Sequence, residues 1–338
     1  MKLKAPFPWF GGKSRASSLV WSRFGNVLNY VEPFAGSLAV LLNRPDYDPR
    51  SHCETVNDLD CYLANFWRSL SHDPAAVAHW ADYPVSECDL HARHLWLINQ
   101  ESFRGSMKTD PDFYDPKIAG WWVWGLCQWI GGGWCSQVKR PCRQLPHLGN
   151  KGRGVHRESN LPHLGDSGNG VHRKLPLLGD NGVKNQESDL LEYFEALASR
   201  LRRVRVCNGD WTRVLSFSVT DSIGLTAIFL DPPYDQNIRT KNVYAHDDPV
   251  SVAVKDWAIA HGNNPLLRIA LCGYSDEFID GMPGGWECVE WKAVQGYRNQ
   301  KKDKSNQNNE KERIWFSPSC LKPSTSIQAT LFDLELTP

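Results

Sequence analysis

The chain has 338 residues, enough for a full α/β core and a smaller second module. Its 41% hydrophobic and 22% charged residues are ordinary for a globular protein, and no apolar run approaches the ~20 residues that cross a bilayer, which excludes a helical membrane protein. The formal net charge is +0, so affinity for a polyanion has to come from where the charges sit.

The first residues, Met1 to Pro6, carry no apolar stretch of the secretion-signal kind, and a cytoplasmic location is expected. Basic residues without an acid run from Lys2 through Lys4, Lys13 and Arg15 to Arg23. Within this stretch stands Pro8-Trp9-Phe10-Gly11-Gly12-Lys13. Paired glycines let a backbone approach a ligand closely, Trp9 supplies an apolar wall, and Lys13 reaches into whatever lies there. Taken alone, a Gly-Gly-Lys turn is common.

A β-like run from Val27 to Pro33 leads into Tyr30-Val31-Glu32-Pro33-Phe34-Ala35-Gly36, followed by a helical pattern from Leu38 to Asn43. A strand running into a glycine turn and then a helix is the place for a nucleotide-like ligand. One glycine and a Pro-Phe pair do not make a phosphate cradle, which needs several backbone N–H groups in a glycine-rich turn. They fit a phosphate-free ligand better, and S-adenosylmethionine is one. The next strand, Glu54 to Asn57, ends at Asp58, whose carboxylate can accept ribose hydroxyls. The plainer alternative makes Asp58 the N-cap of the helix Tyr62 to Leu70.

Strand–helix alternation breaks between Asp73 and Glu187. Helix-like sequence, including Glu87 to Arg104, passes into a Trp- and Gly-rich segment from Trp121 to Trp134. Trp121, Trp122, Trp124, Trp129 and Trp134 either pack among themselves or wedge into a nucleic acid, and packing is the expected outcome. Leu145-Pro146-His147-Leu148-Gly149 then recurs at Leu161 to Gly165 and, altered, at Leu175 to Gly179. The units are too short and glycine-rich for a solenoid and are expected to form short hairpins or loops. Between Ser136 and Lys184 nine basic residues face three acids. Lys139, Arg140, Arg143, Arg153, Arg157 and Arg173 are the candidate phosphate contacts. Of 10 cysteines none forms a CxxC pair, so reduced and mostly buried thiols and no metal are expected. A zinc site is the lesser alternative, given His147, His156, His163 and His172.

Alternation resumes with the helix Asp189 to Arg203 and the strand Val204 to Cys207. Cys207-Asn208-Gly209-Asp210-Trp211 follows, where Asp210 is a candidate acceptor for an adenine amino group and Trp211 a candidate ring wall; Asn-Gly-Asp is otherwise an ordinary turn. The apolar strand Ala227 to Leu230 ends in Asp231-Pro232-Pro233-Tyr234. At the carboxyl end of a buried strand, open α/β sheets bind ligands. This tetrapeptide offers a flat amine a carboxylate, a carbonyl in a stiff turn and a ring to stack on. A helix (Val250 to His261), strands at Leu266 to Cys272 and Trp286 to Trp291, a polar break from Gln300 to Glu312 and a last strand, Arg313 to Phe316, complete the chain.

The order Pro-Trp-Phe-Gly-Gly-Lys, Glu-Pro-Phe-Ala-Gly, Asn-Asp, long insert, Gly-Asp-Trp, Asp-Pro-Pro-Tyr resembles the DNA adenine-N6 methyltransferases of the Dam type with the α motif order. Glu312-Arg313-Ile314-Trp315-Phe316-Ser317-Pro318 is similar to that family's last strand. The resemblance covers residues 1–72 and 186–318, and the insert, with its Trp-Gly segment and Leu-Pro-His-Leu-Gly repeats, is in a style resembling phage and prophage members. It implies a Rossmann-like methyltransferase sheet with helices on both faces. On that resemblance residues 1–72 and 186–338 are expected to form the catalytic domain, and residues 73–185 an inserted, mainly helical and loop-rich DNA-recognition domain. It implies S-adenosylmethionine as cofactor and double-stranded DNA as partner. Trp9, Lys13, Phe34, Gly36, Asp58 and Asp210 are implied to line the cofactor pocket. Gly12, Glu32, Pro33, Trp211 and Asp231 join them from the reading of their turns. Asp231, Pro232, Pro233 and Tyr234 are implied to hold the target adenine. Leu38 stands where many members carry a second glycine, Trp211 where Phe is common, and the insert lacks the usual GATC-reading hairpin, so that specificity is not carried over. The rivals are methylation of cytosine N4, of RNA or of protein, and an idle DNA-binding module.

Overall fold

The computed structural model describes residues 3–9, 12–110, 112–129, 134–135, 190–233, 250–274, 281–291 and 312–322. Seven strands form one sheet: β1 (Asn29–Glu32), β2 (Cys53–Asp58), β3 (Val204–Asn208), β4 (Thr226–Leu230), β5 (Leu267–Tyr274), β6 (Glu287–Glu290) and β7 (Glu312–Phe316). Their order is β3-β2-β1-β4-β5-β7-β6. The first five are parallel, whereas β7 runs antiparallel to both β5 and β6. This is the strand order of the S-adenosylmethionine-dependent methyltransferases. It reverses direction between β1 and β4, and at such a point open α/β sheets bind ligands outside the carboxyl ends of the strands.

Alternation along the strands assigns the two faces. Tyr30, Ala227, Phe229, Ala270 and Cys272 point into one apolar layer, and Val31, Ile228, Leu230, Ile269 and Leu271 into the other. The second layer is closed by α8 (Val250–His261) through Val254 and Ala258. The first is closed by α1 (Ser17–Phe24), α2 (Cys61–His72) and α7 (Leu190–Leu201). β1 and β4 are buried along their whole length, as expected of strands covered on both faces.

Between α2 and α7 the chain adds α3 (Pro74–Ala81), α4 (Glu87–Ile98), α5 (Glu101–Thr109) and α6 (Pro116–Gln128). Asp73 and Asp115 start α3 and α6 by accepting from Ala76 N and Ile118 N, each with proline next in the helix. The expected helix Glu87 to Arg104 is two helices. Asn99 and Gln100 interrupt it, and Gln100 folds its amide onto the Trp96 carbonyl. The Trp-rich segment is helical as far as Gln128, and Trp122, Trp124 and Trp134 pack inward. Trp122 and Trp124 are fully buried, and Trp134 donates to the Trp122 carbonyl at 3.0 Å. Gly120 and Gly125 make this possible: a Cβ at either would collide with Trp80 or Trp134. These tryptophans pack within the fold, with Trp121 and Trp129 half-buried against the same core. The insert's core continues into the sheet layer, where Trp122 meets Phe7 at 5.4 Å and Trp9 at 6.4 Å between ring centroids.

The described cysteines are all free, and Cys61, Cys127, Cys135, Cys272 and Cys320 are buried. Cys207 is half-buried and Cys53, Cys88 and Cys288 are exposed, so the described thiols are free and mostly buried, as expected. Among the described residues no helix is long and apolar enough to cross a membrane. The Leu-Pro-His-Leu-Gly repeats and Lys139, Arg140, Arg143, Arg153, Arg157 and Arg173 lie outside the described residues, as do Phe10, Gly11 and Tyr234.

Candidate active site

Every parallel strand ends at the same edge of the sheet, and the motif residues sit in the turns that leave it. Asp231 follows the wholly buried β4, next to the turn that leaves β1. Gly12 N donates to the Trp9 carbonyl at 3.2 Å, folding the N-terminal segment back on itself and carrying Lys13 inward. The Lys13 ammonium lies 2.9 Å from Asp231 Oδ2 and 4.0 Å from Glu312 Oε2. It also sits 5.5 Å from the centroid of the Trp291 ring. Burial opposes the lysine's charge, but the neighbouring Asp231, Cys272 and Glu312 together outweigh burial and hold the ammonium above its ordinary range. Two segments more than two hundred positions apart in sequence thus meet as a buried ion pair.

The turn after β1 is built around Gly36. Its φ is 47°, in the left-handed region that favours glycine, and a Cβ there would stand 2.5 Å from Trp9 Nε1. Trp9 therefore lies directly on the turn. Gly36 N donates to Asp58 Oδ2 at 3.0 Å, and Asp60 N donates to Asp58 Oδ1 at 3.0 Å. Burial pushes the Asp58 carboxyl up to about 6, although the N–H groups of Asp60 and Gly36 pull the other way. The N-cap of α2 is Asp60, which accepts from Tyr62 N at 2.8 Å, so Asp58 is left to bridge the two turns. Leu38, two positions after Gly36, keeps a φ of 55° although it is not glycine. Its side chain is fully buried, and that burial offsets the backbone strain. The expected helix Leu38 to Asn43 is correspondingly reduced to a 3₁₀ turn, Leu41–Asn43.

Asn57 is the residue that reading the sequence left without a role. Its side-chain amide donates to the Pro33 carbonyl and to the Gly209 carbonyl, each at 3.0 Å, and its backbone carbonyl accepts from Ala35 N at 2.9 Å. One residue thereby ties together the turns after β1, β2 and β3. An Asn-Asp pair at a strand end is the only signal in the sequence that points to it. Phe34 stacks on Trp211 with centroids 6.1 Å apart, closing the β1 and β3 turns on the other face.

Other expected groups point elsewhere. Glu32 is buried and accepts from the Tyr30 hydroxyl at 2.9 Å; burial pushes its carboxyl well above the usual range. Asp210 is exposed and caps its own 3₁₀ turn, Trp211–Val214, accepting from Thr212 N at 2.9 Å. Two members of the N-terminal basic run are spoken for inside the protein. Lys13 pairs with Asp231, and Arg23 pairs with Glu287 at 2.5 Å. Neither presents a free charge to a polyanion. Among the described residues no three His, Cys, Asp or Glu side chains group as a metal site.

The residues present suit a phosphate-free nucleoside ligand. Trp9 and Phe34 offer apolar walls, Asp58 offers a carboxylate beside the Gly36 turn, and the lone left-handed glycine of that turn is no phosphate cradle. No protein-family model matches the chain, and no curated protein is significantly similar to it. The strand order, with helices on both faces of the sheet, gives the fold of an S-adenosylmethionine-dependent methyltransferase.

Proposed function

We propose that the protein methylates the N6 amino group of adenine in double-stranded DNA with S-adenosylmethionine, using residues 73–185 to engage the duplex. The observation that carries this reading is the 2.9 Å pair between Lys13 and Asp231, which joins the Gly-Gly-Lys turn to the Asp-Pro-Pro turn beside the Gly36–Asp58 bridge. A cofactor-side motif and a substrate-side motif at one edge are what direct methyl transfer needs. S-adenosylmethionine, when bound, supplies an electrophilic methyl carbon whose bond to sulfur breaks with the electron pair staying on sulfur.

Trp9, Gly12, Phe34, Gly36 and Asp58 hold the cofactor, with Glu32, Pro33, Asp210 and Trp211 framing the turns. Asp231 accepts one N6–H and the Pro232 carbonyl the other. Those bonds favour a tetrahedral nitrogen and turn its lone pair toward the methyl carbon, by groups already in place before reaction. The nitrogen then sheds one proton. The amine lies inside the duplex stack, so the base has to be extruded, at a cost of a few kcal/mol. Stacking on Tyr234 returns roughly 1–3 kcal/mol. Phosphate contacts from Lys139, Arg140, Arg143, Arg153, Arg157 and Arg173 offset the rest. The test offers the pure protein and labelled cofactor to synthetic duplex DNA, RNA and peptide. Label on adenine of the duplex supports the reading, and label on cytosine, RNA or peptide overturns it.

A further inference from the structure

The insert and the turn that follows β1 share one aromatic cluster. Phe7 is buried at its centre, with ring centroids 5.9 Å from Trp9, 5.4 Å from Trp122, 5.5 Å from Phe66 and 5.7 Å from Trp67. Two of these rings hold Gly36. Trp9 lies where a Cβ on Gly36 would stand, and Trp67 Nε1 donates to the Gly36 carbonyl at 3.5 Å. Trp122 comes from α6 of the insert. Its ring meets Trp9 at 6.4 Å and Phe66 at 5.8 Å, and its backbone carbonyl accepts from Trp134. Trp9 is half-buried and Trp122 is fully buried, so the inner ring backs the outer one. In a close-packed interior such a ring does not shift without moving its neighbours. Trp124 supplies the contrast. It is as deeply buried, two positions along the same helix and so about 200° round its axis. There its indole donates to the Tyr83 carbonyl at 2.9 Å, with the Arg93 guanidinium 4.2 Å from its ring centroid.

We infer that Trp122 is a positioning residue that acts through Trp9 on the Gly36 turn, so that the insert shapes the pocket for S-adenosylmethionine. This rests on the methyltransferase reading above, in which Trp9 and Gly36 hold the cofactor. Trp122 does this without touching the ligand. Removing its ring opens a space behind Trp9, and the surrounding groups relax into it only in part. The wall that Trp9 offers the ligand then moves, and the turn loses the ring that lies against Gly36. The insert thus serves the cofactor side of the reaction as well as the duplex.

The test is calorimetric binding of S-adenosylmethionine to the full chain, with chemical denaturation read in parallel. Trp122→Leu is expected to weaken binding by about 3–10-fold, and Trp122→Phe, which keeps a ring, to restore most of the affinity. Phe7→Leu empties the same space from the other side. It is expected to match Trp122→Leu, and it decides the question if that variant does not fold. Trp124→Leu is expected to lose stability to a similar degree and to keep the wild-type affinity. Wild-type affinity in folded Trp122→Leu or Phe7→Leu, or an equal loss in Trp124→Leu, overturns the inference and leaves the methyltransferase reading standing. A wild-type protein that binds no S-adenosylmethionine overturns that reading, and this one with it.

Discussion

Two buried ionic groups in this protein use the same chemistry at opposite edges of the sheet. At the amino end of β2, Glu54 is wholly buried between two guanidinium groups. Arg200 grips it at 2.6 and 2.9 Å, and Arg44 adds a third bond at 3.2 Å. Arg44 is also bonded to the Val27 carbonyl and Arg200 to the Leu41 carbonyl. At the carboxyl edge, the Lys13 ammonium lies 2.9 Å from Asp231 and 4.0 Å from Glu312. A fully bonded network fixes structure. The Lys13 cluster lies instead at the edge where open α/β sheets bind ligands.

The comparison can be broken from either side. Glu54→Ala leaves two buried guanidinium groups facing each other and is expected to cost about 3–5 kcal/mol of stability. Chemical denaturation reads this, and activity per folded molecule should stay nearly intact. A stability loss as small as that of a surface change would mean the network is not structural. Gly36→Ala drives a methyl group into Trp9 and strains the turn, which should cost about 1–3 kcal/mol. Chemical denaturation reads that loss, and S-adenosylmethionine binding by the folded protein should weaken as well, roughly 10-fold. Unaltered affinity would remove the Gly36 turn from the cofactor pocket.

Asp58 sharpens the contrast through pH. Its carboxyl titrates at about 6, so it is charged above that value and protonated below. Ribose hydroxyls are accepted best by the charged form. Cofactor affinity should hold from neutral pH down to about 6 and then fall, by up to about tenfold for each further unit. Asp58→Asn should flatten the profile, and a wild-type profile already flat to pH 5 would contradict the assignment. The smallest effect belongs to the insert. Neutralising Arg153, Arg157 and Arg173 should lower the slope of log binding against log salt by about 0.9 for each phosphate that is no longer neutralised. An unchanged slope takes them out of the interface.

Much of the fold was legible in the sequence because buried strands advertise themselves. Ala227 to Leu230 and Val204 to Cys207 are apolar or alternating runs bounded by turns, and both strands lie where that pattern puts them. Val250 to His261 is the helix its pattern predicts. The edge turns were legible too, since Gly36 and Asp231 stand directly after strands. What was not legible depends on neighbours distant in sequence. Glu312 comes near Lys13 because an antiparallel strand reverses which of its ends reaches the site. Asn57 matters because two other turns place carbonyls within reach of its amide. The split between α4 and α5, and the helix made by the Trp- and Gly-rich segment, follow from tertiary packing that overrides local preference. Asp210 shows the converse, where a local cap satisfies a residue that the motif order assigns to a ligand.

The most direct test of the central claim is the amount of N6-methyladenine formed in unmethylated duplex DNA by the wild-type protein and by Asp231→Ala, read by mass spectrometry of the digested DNA. N6-methyladenine from the wild type is expected, with a loss of about 10²–10³-fold or more in the variant while S-adenosylmethionine still binds. Wild-type protein that binds the cofactor yet forms no N6-methyladenine, or an Asp231→Ala protein that forms it at the wild-type rate, would contradict the account.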